Sequence, residues 1–237
     1  MRSIDGESAE RQVLVAVAQQ QQVLAYLELL RSSGLDPVAL DIGPAAIARL
    51  LAAMARDDFN QSVLLINFGL QKSFLTVIWG RRLMLDREID FGEASLAAKL
   101  ASSLGMPAEI ARGLMREHGI GARTAARPAA VAQPDIGRTI REILHPEFAV
   151  LAEELLRTQV YVASRTRGST LSRVYLNGSL ARYPNIQQRL SELVALPVAV
   201  LDPFDGFAPV DGGAPRAEVG KNIALAAGLA LRGEPNG

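Results

Sequence analysis

Val63–Gly92 reads VLLINFGLQKSFLTVIWGRRLMLDREIDFG, and its three apolar runs decide the fold. Val63–Ile66 is wholly apolar and ends at a turn, the pattern of a strand buried on both faces. After the break at Asn67–Lys72 comes Ser73–Trp79, rich in β-branched and aromatic residues and suited to a strand. Gly80-Arg81-Arg82 turns the chain into a third strand, Leu83–Ile89, where Leu83, Leu85 and Arg87 alternate with Met84, Asp86 and Glu88. Three strands with such short connections predict a β-meander.

The first connection carries chemistry. A buried strand that ends in a polar residue and glycine, followed by Lys72 and Ser73, can turn backbone N–H groups toward a phosphate. The Gly-Lys-Ser order of a P-loop is missing, so that motif is excluded. A plain hairpin turn is the alternative reading, and composition favours it. Of the nearby acids, Asp86 and Glu88 share one face of their strand, as a catalytic dyad would. Pairing with Arg81, Arg82 or Arg87 is the commoner use of such residues.

Around this centre, 237 residues that are 49% apolar are enough for one large or two small cores. A formal net charge of +0 gives no general case for nucleic acid. No cysteine rules out disulfides and thiolate chemistry, and two histidines, His118 and His145, leave little for a metal site. No apolar run approaches the ~20 residues that span a bilayer, so direct membrane insertion is not expected. The start MRSIDGESAERQ has no signal-peptide core. A cytoplasmic protein is the expectation.

Upstream, Gln12–Ala18 reads as a short strand and Gln20–Ser33 as a helix with Val23, Leu24, Tyr26, Leu27 and Leu30 at helical spacing. Gly34 ends it, Pro37–Ile42 is a second strand, and Pro44 opens a helix to about Ala55. Asp41 is read as a solvated or capping residue rather than a catalytic one. Downstream, Glu93–Ser103 and Pro107–Glu117 are helices. Gly121–Gln133, rich in Ala, Pro and Arg, is a mobile loop. Asp135–Arg165 is a long helical pattern in which Pro146 marks a kink or a junction, with Leu156 and Val160 on its apolar face. Arg173–Leu176 is a strand, Pro184–Leu193 a helix, Pro197–Leu201 a strand and Val219–Leu231 a closing helix.

Several passages in series resemble one family. QVLVAVAQQQQVLAYLELLRSSGLDPVALDIGPAAIARL is similar to the strand–helix–strand–helix passage of PilM-type pilus assembly proteins, relatives of the cell-division protein FtsA. LLINFGLQKSFLTVI falls at that family's Asp-Ile-Gly phosphate loop, and DREIDFGEASLAAKLASSLGMPAEIARGLM at its Arg-x-x-x-Phe-Gly-Gly passage. VYLNGSLARYPNIQQRLSELVALPVAVLDPF resembles the adenosine loop and the Asn-Pro-Phe ending, and IALAAGLALRG the C-terminal helix. The resemblance implies an α/β, actin-like (ribonuclease H-like) lobe with a mixed five-stranded sheet flanked by helices. It places this lobe at 58–237, with a helical insert and loop at 93–135 and a closing helix at 216–232. Residues 1–57 would be the remnant of a first lobe whose earlier part, with its phosphate hairpin, lies before the family passage at which this chain starts.

The resemblance also implies degenerate nucleotide loops at Asn67, Gly69, Lys72, Ser73, Gly178 and Ser179. Asn67 stands where the family has an aspartate, and Asn177 replaces the first glycine of a pair. Arg112 and Met115 fall at the ribose-facing positions. Charge, metal-organising capacity and close backbone approach are thereby lost. The expectation is a non-catalytic scaffold of a type IV pilus or related secretion machinery, with no catalytic residue, no metal and ATP/Mg binding at best weakened. An ATP-binding actin-fold protein, or a kinase- or phosphatase-like enzyme of the same superfamily, is the alternative. An inner-membrane partner of the PilN type is implied, which would recruit the protein to the inner-membrane face. Self-association through the strands of the first-lobe side is a second expected contact. Limited trypsin digestion should cut first after Arg123 or Arg127. Protection of both sites would show the loop docked.

Overall fold

The structure, a computed structural model, describes residues 15–54, 62–120, 136–205 and 223–233. Two compact units divide at Ile42/Gly43, so the first ends earlier than the 57/58 boundary expected from the resemblance. That expected boundary itself falls outside the described residues. The physical reason for the earlier division is α2 (Gly43–Met54), whose Ile47, Leu50 and Leu51 are buried against the sheet of the second unit.

In the first unit, α1 spans Gln20–Ser32. It stops where Gly34 takes φ +80° and the Leu35 N–H reaches back to the Leu30 carbonyl at 3.1 Å. The strands expected at Gln12–Ala18 and Pro37–Ile42 do not form in their described parts, and Gln12–Leu14 lie outside those parts. Val17 is 91% and Val38 93% exposed. A strand needs a neighbour to satisfy its N–H and C=O groups, and the described residues of this short unit supply none. No residue of α1 is buried.

The second unit is built on a five-stranded sheet in the order β3-β2-β1-β4-β5. Its strands are β1 (Ser62–Phe68), β2 (Ser73–Trp79), β3 (Arg82–Ile89), β4 (Leu171–Gly178) and β5 (Val198–Val200). The meander β1–β2–β3 is antiparallel, as read from its alternation, while β4 and β5 add in parallel. The sheet is therefore mixed and buried on both faces near β1, which explains the unbroken apolar run there.

One face carries α3 (Glu93–Leu104), α4 (Ala108–His118), α5 (Ile136–Arg165) and α6 (Ile186–Val194). Their Leu96, Leu100, Met115, Leu144, Phe148 and Leu190 meet Leu64, Ile66, Leu75 and Val174 in the main core. α5 runs through Pro146 without a junction. Its buried stripe is Ile140, Leu144, Phe148, Leu151, Leu155 and Val162, whereas Leu156 and Val160 point outward at 60% and 62% exposure. The other face carries α2 and α7 (Ala224–Ala230) over Val63, Leu65 and Ile78. At their crossing a Cβ on Gly228 would lie 2.2 Å from the Ala46 carbonyl oxygen, so only glycine permits the approach. Residues 121–133, expected to be the mobile loop, and 219–222 of the closing helix lie outside the described residues.

Gly178, at the end of β4, has φ +88°, and a Cβ there would sit 2.0 Å from the Phe68 carbonyl oxygen. Gly105, at the end of α3, has φ +64° with open space around it. Gly178→Ala is expected to cost about 3 kcal/mol or more, and Gly105→Ala only about 1 kcal/mol, because the second pays conformational strain alone. Urea unfolding of both variants measures the difference.

Candidate functional site

The parallel ladder β1–β4 sets Asn67 opposite Asn177 and Phe68 opposite Gly178, so the two loops expected to bind nucleotide do meet, at the carboxyl ends of adjacent strands. They meet by bonding to each other. The Asn177 amide donates to Asn67 Oδ1 at 3.0 Å. The Ser179 N–H donates to the Phe68 carbonyl at 2.8 Å, and its hydroxyl to the Gly69 carbonyl at 3.2 Å.

The turn after β1 presents carbonyls rather than N–H groups to its neighbours. The N–H groups of Glu93 and Ala94, in the first turn of α3, are the donors a helix end would offer an anion. Here they bond the Gly69 and Leu70 carbonyls at 3.2 and 2.8 Å. The approach is close: a Cβ on Gly69 would fall 2.2 Å from the Lys72 carbonyl oxygen. Ser95 completes this helix start, its hydroxyl donating to the Gly92 carbonyl at 2.8 Å.

Lys72 and Ser73 face elsewhere. Lys72 Nζ bonds Glu88 and lies 3.7 Å from Asp90, and these carboxylates raise its pKa. The Ser73 hydroxyl is buried and donates to the Phe91 carbonyl. Of the six expected residues, Asn67, Gly69, Gly178 and Ser179 thus converge, while Lys72 joins Glu88 and Asp90 and Ser73 turns into the fold. Asp86 and Glu88, which share a face of β3, have different partners: Glu88 holds Lys72, and Asp86 accepts from Thr76 at 2.6 Å. Burial pushes the Asp86 carboxyl up. Arg87 crosses to α5, bonding Glu154 at 2.6 Å.

Beside the joined loops lies a cleft of about 390 Å³ lined by Glu93, Arg116, Ser179, Arg182 and Tyr183. Its base is a polar cluster. Glu93 is 5% exposed, and its Oε1 accepts from the Tyr183 hydroxyl at 2.7 Å, with Arg112 Nε at 3.4 Å and Arg116 at 3.5 Å. A buried carboxylate needs such partners. Met115, expected to face a ribose, is instead fully buried in the core, because on α4 it shares the inward face with Ala111. Its neighbour Arg116 is the one that lines the cleft. Glu93 and Tyr183 were not picked out from the sequence. One signal was available: Glu93 follows Phe91-Gly92 where the Phe-Gly-Gly pattern has its second glycine.

No group of histidine, cysteine and carboxylate side chains able to hold a metal occurs among the described residues. The donors at the joined loops are two neutral amides and a hydroxyl, a poor set for Mg²⁺, which takes carboxylates and phosphates. These residues do not fit a metal–nucleotide complex.

Residues 1–234 match the model of the family described as type IV pilus assembly protein PilM. No curated protein matches. Among solved structures, a PilM–PilN type IV pilus biogenesis complex aligns with TM-score 0.69 and 23% identity, covering 91% of this chain and 59% of that one. The ethanolamine utilization protein EutJ of Carboxydothermus hydrogenoformans aligns with TM-score 0.57 at 18% identity, covering 91% and 62%. MreB5 of Spiroplasma citri, bound to AMPPNP, gives 0.60 at 14%, covering 92% and 65%. The chain thus spans about three fifths of the structures it resembles, and the likeness shows an actin-like fold.

Burial and the bond to Glu93 push the Tyr183 phenol up to about 12 from 10.0. A raised pKa means that the folded state holds the proton more tightly than the unfolded one. Its contribution to stability is therefore complete below pH 10 and is lost as the pH rises from about 10 to 12. Tyr183→Phe should remove that part of the alkaline loss, read as a flatter dependence of urea midpoint on pH across this window.

Proposed function

Because the chain belongs to the type IV pilus assembly protein PilM family, we propose that it is a non-catalytic scaffold of a type IV pilus or related secretion machinery. The observation that carries the reading is that the loops bond to each other. Asn177 bonds Asn67, Ser179 bonds Phe68 and Gly69, and the α3 N–H groups bond Gly69 and Leu70. Phosphoryl transfer is mostly positioning and charge stabilisation around a metal-bound phosphate. The side chains that form the junction include no carboxylate to hold the metal, and the first N–H groups of α3 are already occupied.

A scaffold works through protein surfaces. The first unit displays Val15, Val17, Leu24, Leu29, Val38 and Leu40, all more than half exposed, which is more apolar surface than a short segment usually leaves to water. This supports a protein partner there, and the PilM–PilN complex supports an inner-membrane protein of PilN type as that partner. We place the protein at the cytoplasmic face of the inner membrane on the same ground; no described helix is long and apolar enough to cross a membrane.

The second reading, an ATP-binding actin-fold protein, has one observation in its favour, the cleft of about 390 Å³ beside Ser179. It predicts Mg-ATP binding that depends on Lys72, whereas the geometry pairs Lys72 with Glu88.

Calorimetric titration with Mg-ATP should give no binding tighter than about 1 mM, and phosphate release should not exceed the protein-free rate. Asn67→Asp should not rescue either, since the α3 donors stay occupied. Micromolar affinity abolished by Lys72→Ala would overturn the scaffold reading. A PilN-type cytoplasmic tail peptide should bind the full chain, and failure to bind would remove that partner while leaving the nucleotide result untouched.

A further inference from the structure

Four described non-glycine residues have positive φ, Arg81, Arg167, Asn185 and Ala195, and the two arginines among them both lie at the end of the sheet where β1 and β4 begin. Between β2 and β3, Gly80 and Arg81 have φ of 54° and 65° and join the paired residues Trp79 and Arg82. This is a two-residue turn with positive φ at both positions, for which Asn-Gly is the favoured pair. After α5, the Gly168 N–H bonds the Ala163 carbonyl at 2.9 Å and Arg167 has φ 54°. Arg167 thus occupies the left-handed slot of a Schellman ending, again the usual place of glycine. Conformations unfavourable to a side chain persist where the side chain serves something else.

Around them several described arginines carry no carboxylate partner among the described residues. Arg82, Arg165, Arg167 and Arg173 are exposed. None has an ion pair among the described residues, whereas Arg87, Arg112, Arg116, Arg138 and Arg157 are all paired. Arg165 lies over the Tyr161 ring at 5.7 Å and Arg173 over Tyr175 at 5.8 Å. Both guanidinium groups are thus held by aromatic faces rather than by carboxylates. Trp79, the chain's one tryptophan, closes β2 at the same end and is 39% exposed.

We propose that this end of the sheet docks on an anionic phospholipid surface. The arginines do not converge on one point. They are spread over the sheet order from β3 to β4, three strand spacings or roughly 14 Å, so they match an array of headgroups better than a single ligand. Guanidinium groups bond phosphate oxygens in pairs, and a half-exposed indole is suited to the headgroup layer. The contact is peripheral and needs no spanning helix. It goes beyond the scaffold reading and does not depend on it, since it uses neither the joined loops nor the first unit.

The test uses the full chain with vesicles of phosphatidylcholine containing phosphatidylglycerol, and with phosphatidylcholine alone. Co-sedimentation with the anionic vesicles only, weakening as salt rises, is expected, together with a blue shift of the Trp79 emission. Arg82→Gln and Arg173→Gln should each lower partitioning about fivefold, while Arg138→Gln should leave it unchanged. Arg167→Gly separates function from folding: it should lower partitioning by a similar factor while the melting temperature stays level or rises. Equal binding to neutral vesicles, no binding at low salt, or partitioning unaffected by the arginine variants would overturn the proposal. So would preference for polyglutamate over anionic vesicles, which would assign the surface to an acidic protein.

Discussion

Everything in the second unit depends on the parallel ladder between β1 and β4. It joins residues 110 positions apart in the chain, closes the core of the meander against α5, and brings the two loops to the same edge. The constraint that lets it form to its last residue is the absence of a side chain at Gly178, where the Phe68 carbonyl occupies the space a Cβ would need. Once these backbones touch, Ser179 and Asn177 fall within reach of Gly69 and Asn67. The chemistry of the site is therefore decided by which side chains stand at the strand ends. Two neutral amides bond to each other where a charged pocket for a hydrated cation would need a carboxylate.

The Glu93 cluster is the second consequence. α3 can begin where it does because the turn after β1 gives its carbonyls to the first N–H groups of the helix. That start fixes Glu93 in a dry position, and a buried carboxylate without partners would be strongly unfavourable. Tyr183, brought in by the 3-10 turn Leu180–Arg182 that follows β4, supplies the donor. Arg112 and Arg116 from α4 supply the charge. A single acid thus ties α3 to the next helix, α4, and to the turn after β4, with Tyr183 90 residues away.

What could be read in advance divides along the range of the interactions. The meander was legible because alternation and turn residues are local: β2 occupies Ser73–Trp79 as expected, β1 runs from Ser62 to Phe68 rather than from Val63 to Ile66, and β3 starts one residue early at Arg82. The period of α5 was legible too, although Leu156 and Val160 were placed on the wrong face by a pattern that counts apolar residues without their angle. Pro146 did not divide the helix, since core packing of Leu144 before it and Phe148 after it outweighs one missing hydrogen bond. The first unit failed the reading for the opposite reason. Val15, Val17 and Val38 have strand character but no neighbour among the described residues, and pairing is not a property of one segment. At the site, the register that opposes Asn67 to Asn177 and the bond from Tyr183 to Glu93, 90 residues away, were invisible without the sheet.

The long interval between β1 and β4 also has a consequence for how the chain reaches its native state. β1, β2 and β3 can pair as soon as they exist, as a local hairpin structure, whereas β4 can join only after α3, α4 and α5 have been made and folded back. Loop closure over such a separation is entropically costly and slow. In the meantime the β1 edge, which carries Val63, Leu64, Leu65 and Ile66, is left open. During synthesis the growing chain passes through a stage with a hydrophobic strand edge ready to pair with another molecule. Yield in the cell is then governed less by final stability than by how quickly α5 delivers β4 to that edge.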